Sequence, residues 1–565
     1  MDEKNILMGK RKSPTDKEII LTTVGTCEGV DLLIPDSFNF NVSSWEVGQV
    51  VDCRVLSEAM LPFGGFPEKL YVREEMKAVW SIVCRGIAEQ RTRWVIVGSP
   101  GVGKSVLTVL ASFHLARSFN RPVFLARQLK GEGRDENSRG TVALCIHPGG
   151  LAVAYPKKRG GYFNMLAISA PFFESHERVL TILDGWSQQE LVGTPIGADY
   201  GSFQLLATSA QYFPKSQDGR HLVMLPAWLE ADLKCLWKLG RGGAEDEEAF
   251  NEQYYYSGGS AREFGRSIDD VRNRINIATL GTTEESCKNI LAGYGGSLGA
   301  PHDSLRRAYL SDRNPDSYKS SDNWVYAIDS AYALRRLKLL APLSVFKRSI
   351  EVAKASGCIS LYGQMFEVFV HQLFSLPNLS ITFHLRDAKV MATGEYNESV
   401  RLCKYSAECV GGKLDEAMEY LSSRTMNTSS TTYWYPDFAQ FPAIDAVACT
   451  PDSKTVLYIQ FTAGKEKVAN ETTLSTIHQL VKGSLEKSLS ATSGNIEDWA
   501  FRYIAIAPSQ QQADDLKLTA TKGFDAGGGI TFSKGYVTHS AEWKGRRRHD
   551  RRPGGTSAWG GAGRT

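Results

Sequence analysis

Eight consecutive positions, Gly98, Ser99, Pro100, Gly101, Val102, Gly103, Lys104 and Ser105, read G-x-x-x-x-G-K-S. They follow a short apolar run, Trp94 to Val97, and precede Val106 to His114 at helical spacing. Strand, glycine-rich loop and helix start, in that order, form the context in which such a loop cradles phosphate. Its glycines let backbone N–H groups turn inward, and the positive end of the next helix adds to the field. Lys104 would reach the β- and γ-phosphates, and the Ser105 hydroxyl would hold Mg²⁺. A second group fits the same chemistry: Arg178 to Leu183 is an apolar strand ending in Asp184, placed to reach the metal or its water. Gly185 stands where many ATPases with such a loop carry a catalytic glutamate, which separates the expectation of binding from that of hydrolysis. Thr208, Ser209 or Gln211, closing another apolar run, could sense the γ-phosphate, although satisfied strand-end hydroxyls would look the same. Arg262, in a G-G-x-x-R turn opening a helix, is a candidate second sensor, with a surface arginine as the alternative.

A different set lies in the last third of the chain: Glu367 within the amphipathic stretch Leu361–Phe374, Asp445, Gln460 and Thr462. The elements around them read helix, two-stranded hairpin, helix (Thr473–Leu489, with His478), strand (Phe501–Pro508). That is the skeleton of a restriction-endonuclease-like fold, in which an acid on one strand and D/E-x-K on the next bind a metal and activate water. Glu367 and Asp445 supply two carboxylates. Gln460 stands where an acid would be, although its carbonyl can still ligate Mg²⁺ beside Asp445. Thr462 stands where a lysine would be, and Lys465 could fold back to it. A degenerate fold that binds DNA without cutting it is the competing reading.

The elements that must position these groups follow an α/β rhythm. Short β-type runs at Ile19–Val24, Asp31–Ile34 and Gln49–Val51 suggest a lead-in sheet extension. Val72, Met76, Val79, Trp80 and Val83 fall on one helical face ahead of the first strand. Strands are expected at Pro122–Leu125, Val142–Ile146, Leu151–Tyr155, Ser202–Gln211 and Leu222–Trp228, and helices at Glu230–Leu239 and Ala244–Tyr256. Residues 265–345 read as a helical lid and bridge, with Asn323–Tyr332 as a core helix. The Ser/Thr-rich stretch after Phe374, up to Thr432, shows no clear period.

Length and composition bound the remainder. A chain of 565 residues with 42% hydrophobic and 22% charged residues carries two to four globular domains. It has no apolar run of about 18 residues, so no membrane-spanning helix is expected. The charged start MDEKNILMGKRKSPTDKE has no secretory h-region. Ten scattered cysteines without C-x-x-C suggest reduced, buried thiols. Of the net charge of +3, residues 544–552 alone hold +5, which leaves a near-neutral body and a basic tail. That tail is expected to be disordered and to act as a nuclear address, as a DNA tether, or not at all.

Several stretches resemble Crinkler-type effectors and are similar to the retrotransposon hot spot proteins of trypanosomes. They are Leu70-Tyr-Val-Arg73, Gly98 to Ser105, Leu183-Asp-Gly185, Tyr254-Tyr-Tyr-Ser-Gly-Gly-Ser-Ala-Arg-Glu-Phe264, and Ile444-Asp445 with Gln460-Phe-Thr462, spanning roughly residues 65–510. The resemblance implies an ATPase of the AAA-like division fused to an endonuclease-fold domain, working on DNA or chromatin in a nucleus, a host's if secreted. The Leu-Phe-Leu-Ala-Lys type translocation signature of Crinklers is absent. The expected architecture is a lead-in region (1–60), a P-loop NTPase core (61–240), a helical lid (241–345), a restriction-endonuclease-like α/β domain (346–543) and a basic tail (544–565). The expected cofactors are ATP and Mg²⁺; DNA, host proteins and a homo-oligomer are the partners considered, and a membrane is not. The alternatives are a nucleotide-dependent switch or assembly factor with an inactive DNA- or protein-binding module, and a small-molecule kinase. The long lid and the absence of an acceptor site speak against the kinase.

Overall fold

The computed structural model describes residues 29–541 except 33, 36, 90–92, 130–139, 156–170, 188–202, 210–211, 213–219, 241–246, 281, 284, 288–304, 338–342, 356–358, 377–378, 389–394, 404, 411–413, 424–429, 437–440, 442 and 521–528. The expected strand at 19–24, Gln211 and the basic tail lie outside the described residues. All counts are of the described residues.

The first half contains β1 (Val30–Leu32), β2 (Val50–Asp52), α1 (Arg54–Met60), β3 (Lys69–Tyr71), α2 (Glu74–Ala88), β4 (Trp94–Val97) and α3 (Lys104–Ser118). Then come β5 (Val123–Leu129), β6 (Gly140–Ile146), β7 (Ala152–Tyr155), β8 (Leu180–Asp184), β9 (Leu205–Ala207), β10 (His221–Met224) and α4 (Glu230–Gly240). An eight-stranded sheet runs β1-β7-β6-β5-β8-β9-β4-β10. From β5 to β10 the neighbours are parallel, while β6, β7 and β1 extend the edge antiparallel. All four residues of β4 and all five of β8 are buried, as continuous apolar runs in a two-sided parallel sheet should be. The phosphate-loop strand β4 is separated from the aspartate strand β8 by β9, so the chain leaves β4 across both to reach β5. A crevice at such a switch point, beyond the carboxyl ends of the strands, is where open α/β sheets bind ligands.

Helix α3 is buried from Leu107 to Ala116. Its polar members are satisfied locally: Thr108 Oγ1 donates to Ser105 O at 2.9 Å, and Ser112 Oγ to Thr108 O at 2.8 Å. Helix α2 buries Met76, Val79, Trp80, Val83 and Ile87 and opens with Glu74 and Glu75, which suit the positive end of its dipole. Val72, expected on that helix, belongs to the extended segment before it, because the helix begins only after Arg73.

Next come α5 (Glu247–Ser257), α6 (Ala261–Phe264), α7 (Ile268–Thr279), β11 (Arg306–Leu310), β12 (Trp324–Ile328) and α8 (Ala331–Leu337). The expected core helix at 323–332 is a correction: Trp324–Ile328 is a strand, antiparallel to Arg306–Leu310, and only the residues from Ala331 are helical. A five-residue apolar run cannot by itself separate strand from helix; its partner lay in a stretch expected to be helical.

The last part holds α9 (Leu343–Ala355), α10 (Ile359–Phe374), β13 (Leu379–Asp387), β14 (Glu398–Leu402), β15 (Ser406–Cys409), α11 (Leu414–Ser423), β16 (Thr432–Tyr435), β17 (Ala446–Thr450), β18 (Thr455–Phe461) and β19 (Glu466–Ala469). It ends with α12 (Glu471–Ser490), β20 (Ala500–Ala507), α13 (Gln510–Asp515), β21 (Lys517–Ala520) and β22 (Ile530–Ala541). Its eight-stranded sheet runs β14-β13-β22-β20-β18-β17-β16-β15. The expected hairpin is β17–β18, antiparallel, and β20 is parallel to β18. Among the strands without expectation, β13 and β22 pair antiparallel over nine residues, with β22 between β13 and β20. The expected final strand, Phe501–Pro508, is thus followed by another. In β18 the residues alternate: Leu457, Ile459 and Phe461 pack with α10, and Val456 and Tyr458 with α12. One buried cluster joins α4, α5, α7 and α8 to α10 and the inner face of this sheet, so no break in the core marks residue 345.

No helix among the described residues is long and apolar enough to cross a membrane. The eight described cysteines are unbridged, with Cys53, Cys145, Cys287 and Cys449 buried and Cys235 exposed.

Candidate functional site

The loop after β4 owes its shape to three glycines. A Cβ on Gly98 would collide with Leu225 O, and one on Gly101, at φ +82°, with Ser260 Oγ. Gly103, at φ +103°, is the N-cap of α3 and offers no side-chain cap, and nothing lies within 4 Å of a Cβ built on it. The first turn of a 15-residue helix therefore faces an open cradle. Lys104 Nζ lies in that cradle, donating to Gly98 O at 2.7 Å and Ser99 O at 2.8 Å. The rest of the loop is pinned from outside. Ser99 Oγ accepts from Ala308 N at 2.9 Å, Arg73 Nη2 donates to Val102 O at 3.1 Å, and Ser260 Oγ donates to Pro100 O at 3.3 Å. Arg73 is fully buried, also bonds Pro226 O and Ala227 O, and stacks over Trp228.

Ser105 and Asp184 meet. The hydroxyl donates to Asp184 Oδ1 at 2.9 Å, and Asp184 Oδ2 accepts from Arg127 Nε at 3.1 Å. Arg127 stands opposite Asp184 in the β5–β8 register, and its Nη1 also donates to Phe63 O at 3.0 Å. The two side chains of this pair are about 5% exposed, so each charge depends on the other. Gly185 takes φ +84°, and a Cβ there would stand 2.9 Å from Gln128 O. A glutamate in this position would need the backbone to move, which is a physical reason for its absence. Thr208 Oγ1 donates to Trp186 O at 2.6 Å and so serves the strand end.

The donor set fits a triphosphate and its Mg²⁺: an uncapped helix start, a lysine within the loop, and a hydroxyl and a carboxylate in contact. No cluster of three or more His, Cys, Asp or Glu occurs among the described residues, so a cation here would draw its other ligands from phosphate and water.

Arg262 is brought to the same loop. Ser260 caps α6, and a Cβ on Gly101 would lie 3.0 Å from Arg262 Cβ. Burial pulls the Arg262 pKa down, and the charge of Asp184 is among those holding it up. Arg262→Ala should weaken triphosphate binding more than diphosphate binding, by about 10-fold, the worth of one charge-assisted hydrogen bond. Equal affinity of variant and wild type for the triphosphate would remove Arg262 from the site.

The second set is only partly assembled. Asp445, entering β17, accepts from Phe461 N at 2.6 Å and from Gln460 Nε2 at 2.5 Å. The same amide donates to Phe461 O at 3.2 Å, so Gln460 presents its nitrogen here, not the carbonyl a metal would need beside Asp445. Alternation along β18 also turns Gln460 away from the α10 face. Thr462 closes the strand, with its Oγ1 accepting from Gly464 N at 3.2 Å. Among the charges acting on Asp445 is that of Lys467, which the sequence did not single out. Glu367 is engaged by Arg335 Nη2 and lies 3.4 Å from His371 Nε2. His371 stacks on Tyr435 at 4.1 Å and shares a hydrogen bond with Tyr433 OH at 2.8 Å.

Burial and the charge of Glu367 push Asp445 up to about 8. Burial acts upward on Glu367 too, but Arg335 and His371 hold it below its ordinary value. A carboxyl raised on folding lends stability below its unfolded pKa, and this is lost as pH rises through the folded value. Wild type should therefore lose stability relative to Asp445→Asn between about pH 4 and about pH 8. Parallel melting curves of the two proteins across that range would contradict the assignment.

Sequence reasoning assigned no role to Arg127 or Arg335, and Arg73 entered it only as the end of the Leu70–Arg73 stretch. Arg127 is a lone charge in an apolar run and Arg335 one of two adjacent arginines, and both are weak signals, since such residues are usually placed at a surface. No protein-family model matches the chain, and no curated protein matches it. Among solved structures it is similar to a signal transduction ATPase with numerous domains (STAND) carrying a tetratricopeptide-repeat sensor, from Pyrococcus horikoshii. Identity is 12% over 50% of this chain and 46% of that one, so the chain spans less than half of that protein; the TM-score is 0.18. A likeness this loose carries no argument about function.

Proposed function

We propose that the chain binds Mg·ATP between the 98–105 loop, Asp184 and Arg262, and acts as a nucleotide-dependent switch with slow hydrolysis. The observation that carries this reading is the Ser105–Asp184 hydrogen bond at 2.9 Å beside an uncapped, glycine-opened helix start. The strand inserted between β4 and β8 supports placement in the AAA-like division of P-loop NTPases. Lys104 would bind and orient the β- and γ-phosphates, and Arg262 would approach from the α6 side. A bound Mg²⁺ would supply charge neutralisation between phosphate oxygens. Slow turnover follows from Gly185, which leaves no carboxylate next to Asp184 to take a proton from water. Asp184→Asn should lower ATP turnover at least ~10-fold and change nucleotide affinity less, because it acts through the cation. Equal turnover in a phosphate-release assay would exclude Asp184.

The last part, 346–543, fits a restriction-endonuclease-like module, on the strength of the β17–β18 hairpin, α12 and parallel β20. Its site is that of a module which holds DNA or a partner and does not cut. Gln460 offers nitrogen to Asp445, and Arg335 already neutralises Glu367. A second reading, metal-dependent phosphodiester cleavage, is favoured by the proximity of the Glu367 charge to Asp445. Under it, plasmid nicking with Mn²⁺ or Mg²⁺ would rise with pH towards about 8, as Asp445 gives up its proton to become a ligand. No nicking by the full chain at any pH is the result expected from the first reading. Action in a nucleus, through the basic 544–552 segment, belongs to the same proposal; truncation after Trp543 should reduce nuclear accumulation.

A further inference from the structure

Asp329 is 1% exposed and directly follows β12. Its Oδ2 accepts from Gly259 N at 2.6 Å and from Tyr309 OH at 2.6 Å, and Arg307 Nε stands 3.7 Å from Oδ1. The carboxylate fills the space a side chain would need at Gly258 or Gly259, so this turn is moulded onto Asp329. The turn carries Ser260, bonded to the phosphate loop at Pro100 O, and Arg262 beside it.

The next residue begins a second connection. Ser330 Oγ caps α8 by accepting from Ala333 N at 3.1 Å, and it donates to Tyr255 O at 3.3 Å. One turn on, the Arg335 guanidinium lies 5.5 Å from the ring centroid of Tyr255, in the helix that leads into the Gly258–Gly259 turn. The same guanidinium bonds Glu367 through Nη2 and Pro436 O, at 2.9 Å, through Nη1. Short helix α8 thus touches the phosphate-loop assembly at one end and the carboxylate pocket at the other. These polar links run inside the buried apolar cluster that also packs α8 against α5, α7 and α10. Such groups move together or break at a cost, because unpaired buried charges are expensive.

We propose that α8 is a coupling strut through which nucleotide at the 98–105 loop and the state of the Glu367–Asp445 pocket bias each other, with Asp329 and Arg335 as its positioning residues. This rests on the reading that the loop binds nucleotide. A nucleotide that draws Arg262 inward pulls the Gly258–Gly259 turn, Asp329 and α8 with it, and so shifts Arg335 on Glu367. Linkage makes the effect reciprocal: whatever shifts the equilibrium of the Glu367 pocket shifts nucleotide affinity in turn.

The test uses the full chain and the Mg²⁺ complex of a non-hydrolysable ATP analogue. In wild type, binding should change backbone amide exchange within residues 359–374, about 5-fold or more in the most affected amides, the lower end of ordinary coupling. Arg335→Lys should abolish that response, and Glu367→Gln should shift analogue affinity by about 5-fold or more. The double variant should shift it no further than the larger single one. A purely structural role for Arg335 would lower the melting temperature, leave the exchange response in place and leave all affinities equal; that result overturns the strut. Binding by wild type with no response in 359–374 overturns it also, while leaving the nucleotide site intact. If wild type fails to bind the analogue, the proposed function itself falls and takes the strut with it.

Discussion

Lys104→Ala should abolish measurable nucleotide binding, lowering ATP affinity by at least ~100-fold, because the lost contacts are charge-assisted bonds worth about 1.5–3 kcal/mol each. The lysine ammonium already sits among the loop carbonyls of Gly98 and Ser99, so the charge is held where phosphate oxygens would arrive and needs no rearrangement of the backbone. Alanine keeps the helix start and the glycine turns and removes only that charge. Titration calorimetry of the full chain gives the readout, and the shift in melting temperature with added ATP gives a second one, since a ligand that binds only the native state stabilises it. Wild-type affinity in the variant would show that the glycine loop is a structural turn with a lysine folded into it.

Arg127→Ala should be the most destabilising of the substitutions considered, costing about 3–5 kcal/mol, the usual consequence of stranding one member of a buried ion pair. Asp184 would be left with the Ser105 hydroxyl as its one described hydrogen-bond donor, at the end of a strand that is buried throughout and lies between β5 and β9. For a unit of about 150–250 residues, such a loss lowers the melting temperature by roughly 6–20 °C. The double variant Arg127→Met/Asp184→Asn should recover most of the loss, because it removes both charges while keeping volume. A single variant that melts within about 2 °C of wild type would mean that the pair is hydrated and not buried. This prediction also separates two roles of Asp184. Its contact with Ser105 belongs to the proposed nucleotide site, and its contact with Arg127 to the stability of the sheet.

The contrast between these two residues shows what kind of information a sequence carries here. Lys104 stands in a local pattern: eight adjacent positions, a strand before and a helix after, all set by short-range backbone geometry. Asp184 is legible for a similar reason, as a carboxylate that ends an apolar strand. Helices α2, α10 and α12 declare themselves by their period, and the order of strands β4, β5, β8, β9 and β10 follows the apolar runs. The G-G-x-x-R turn was also visible, and the structure sets it against the phosphate loop through Ser260.

What the tertiary structure decided is pairing between distant residues. Asp329 lies 70 residues from Gly259, Arg127 lies 57 from Asp184, and Arg335 lies 32 from Glu367. No periodicity marks such residues, because each answers to a partner on another element and not to its own neighbours. The same holds for β12 and β22, whose strands are specified by what they pair with. Gln460 makes the point at atomic scale. The sequence allows its amide to turn either oxygen or nitrogen towards Asp445, and the two nearby acceptors, Asp445 Oδ2 and Phe461 O, select nitrogen. A local pattern fixed which groups could bind phosphate; long-range contacts fixed which charges are neutralised, and so what the second site can do.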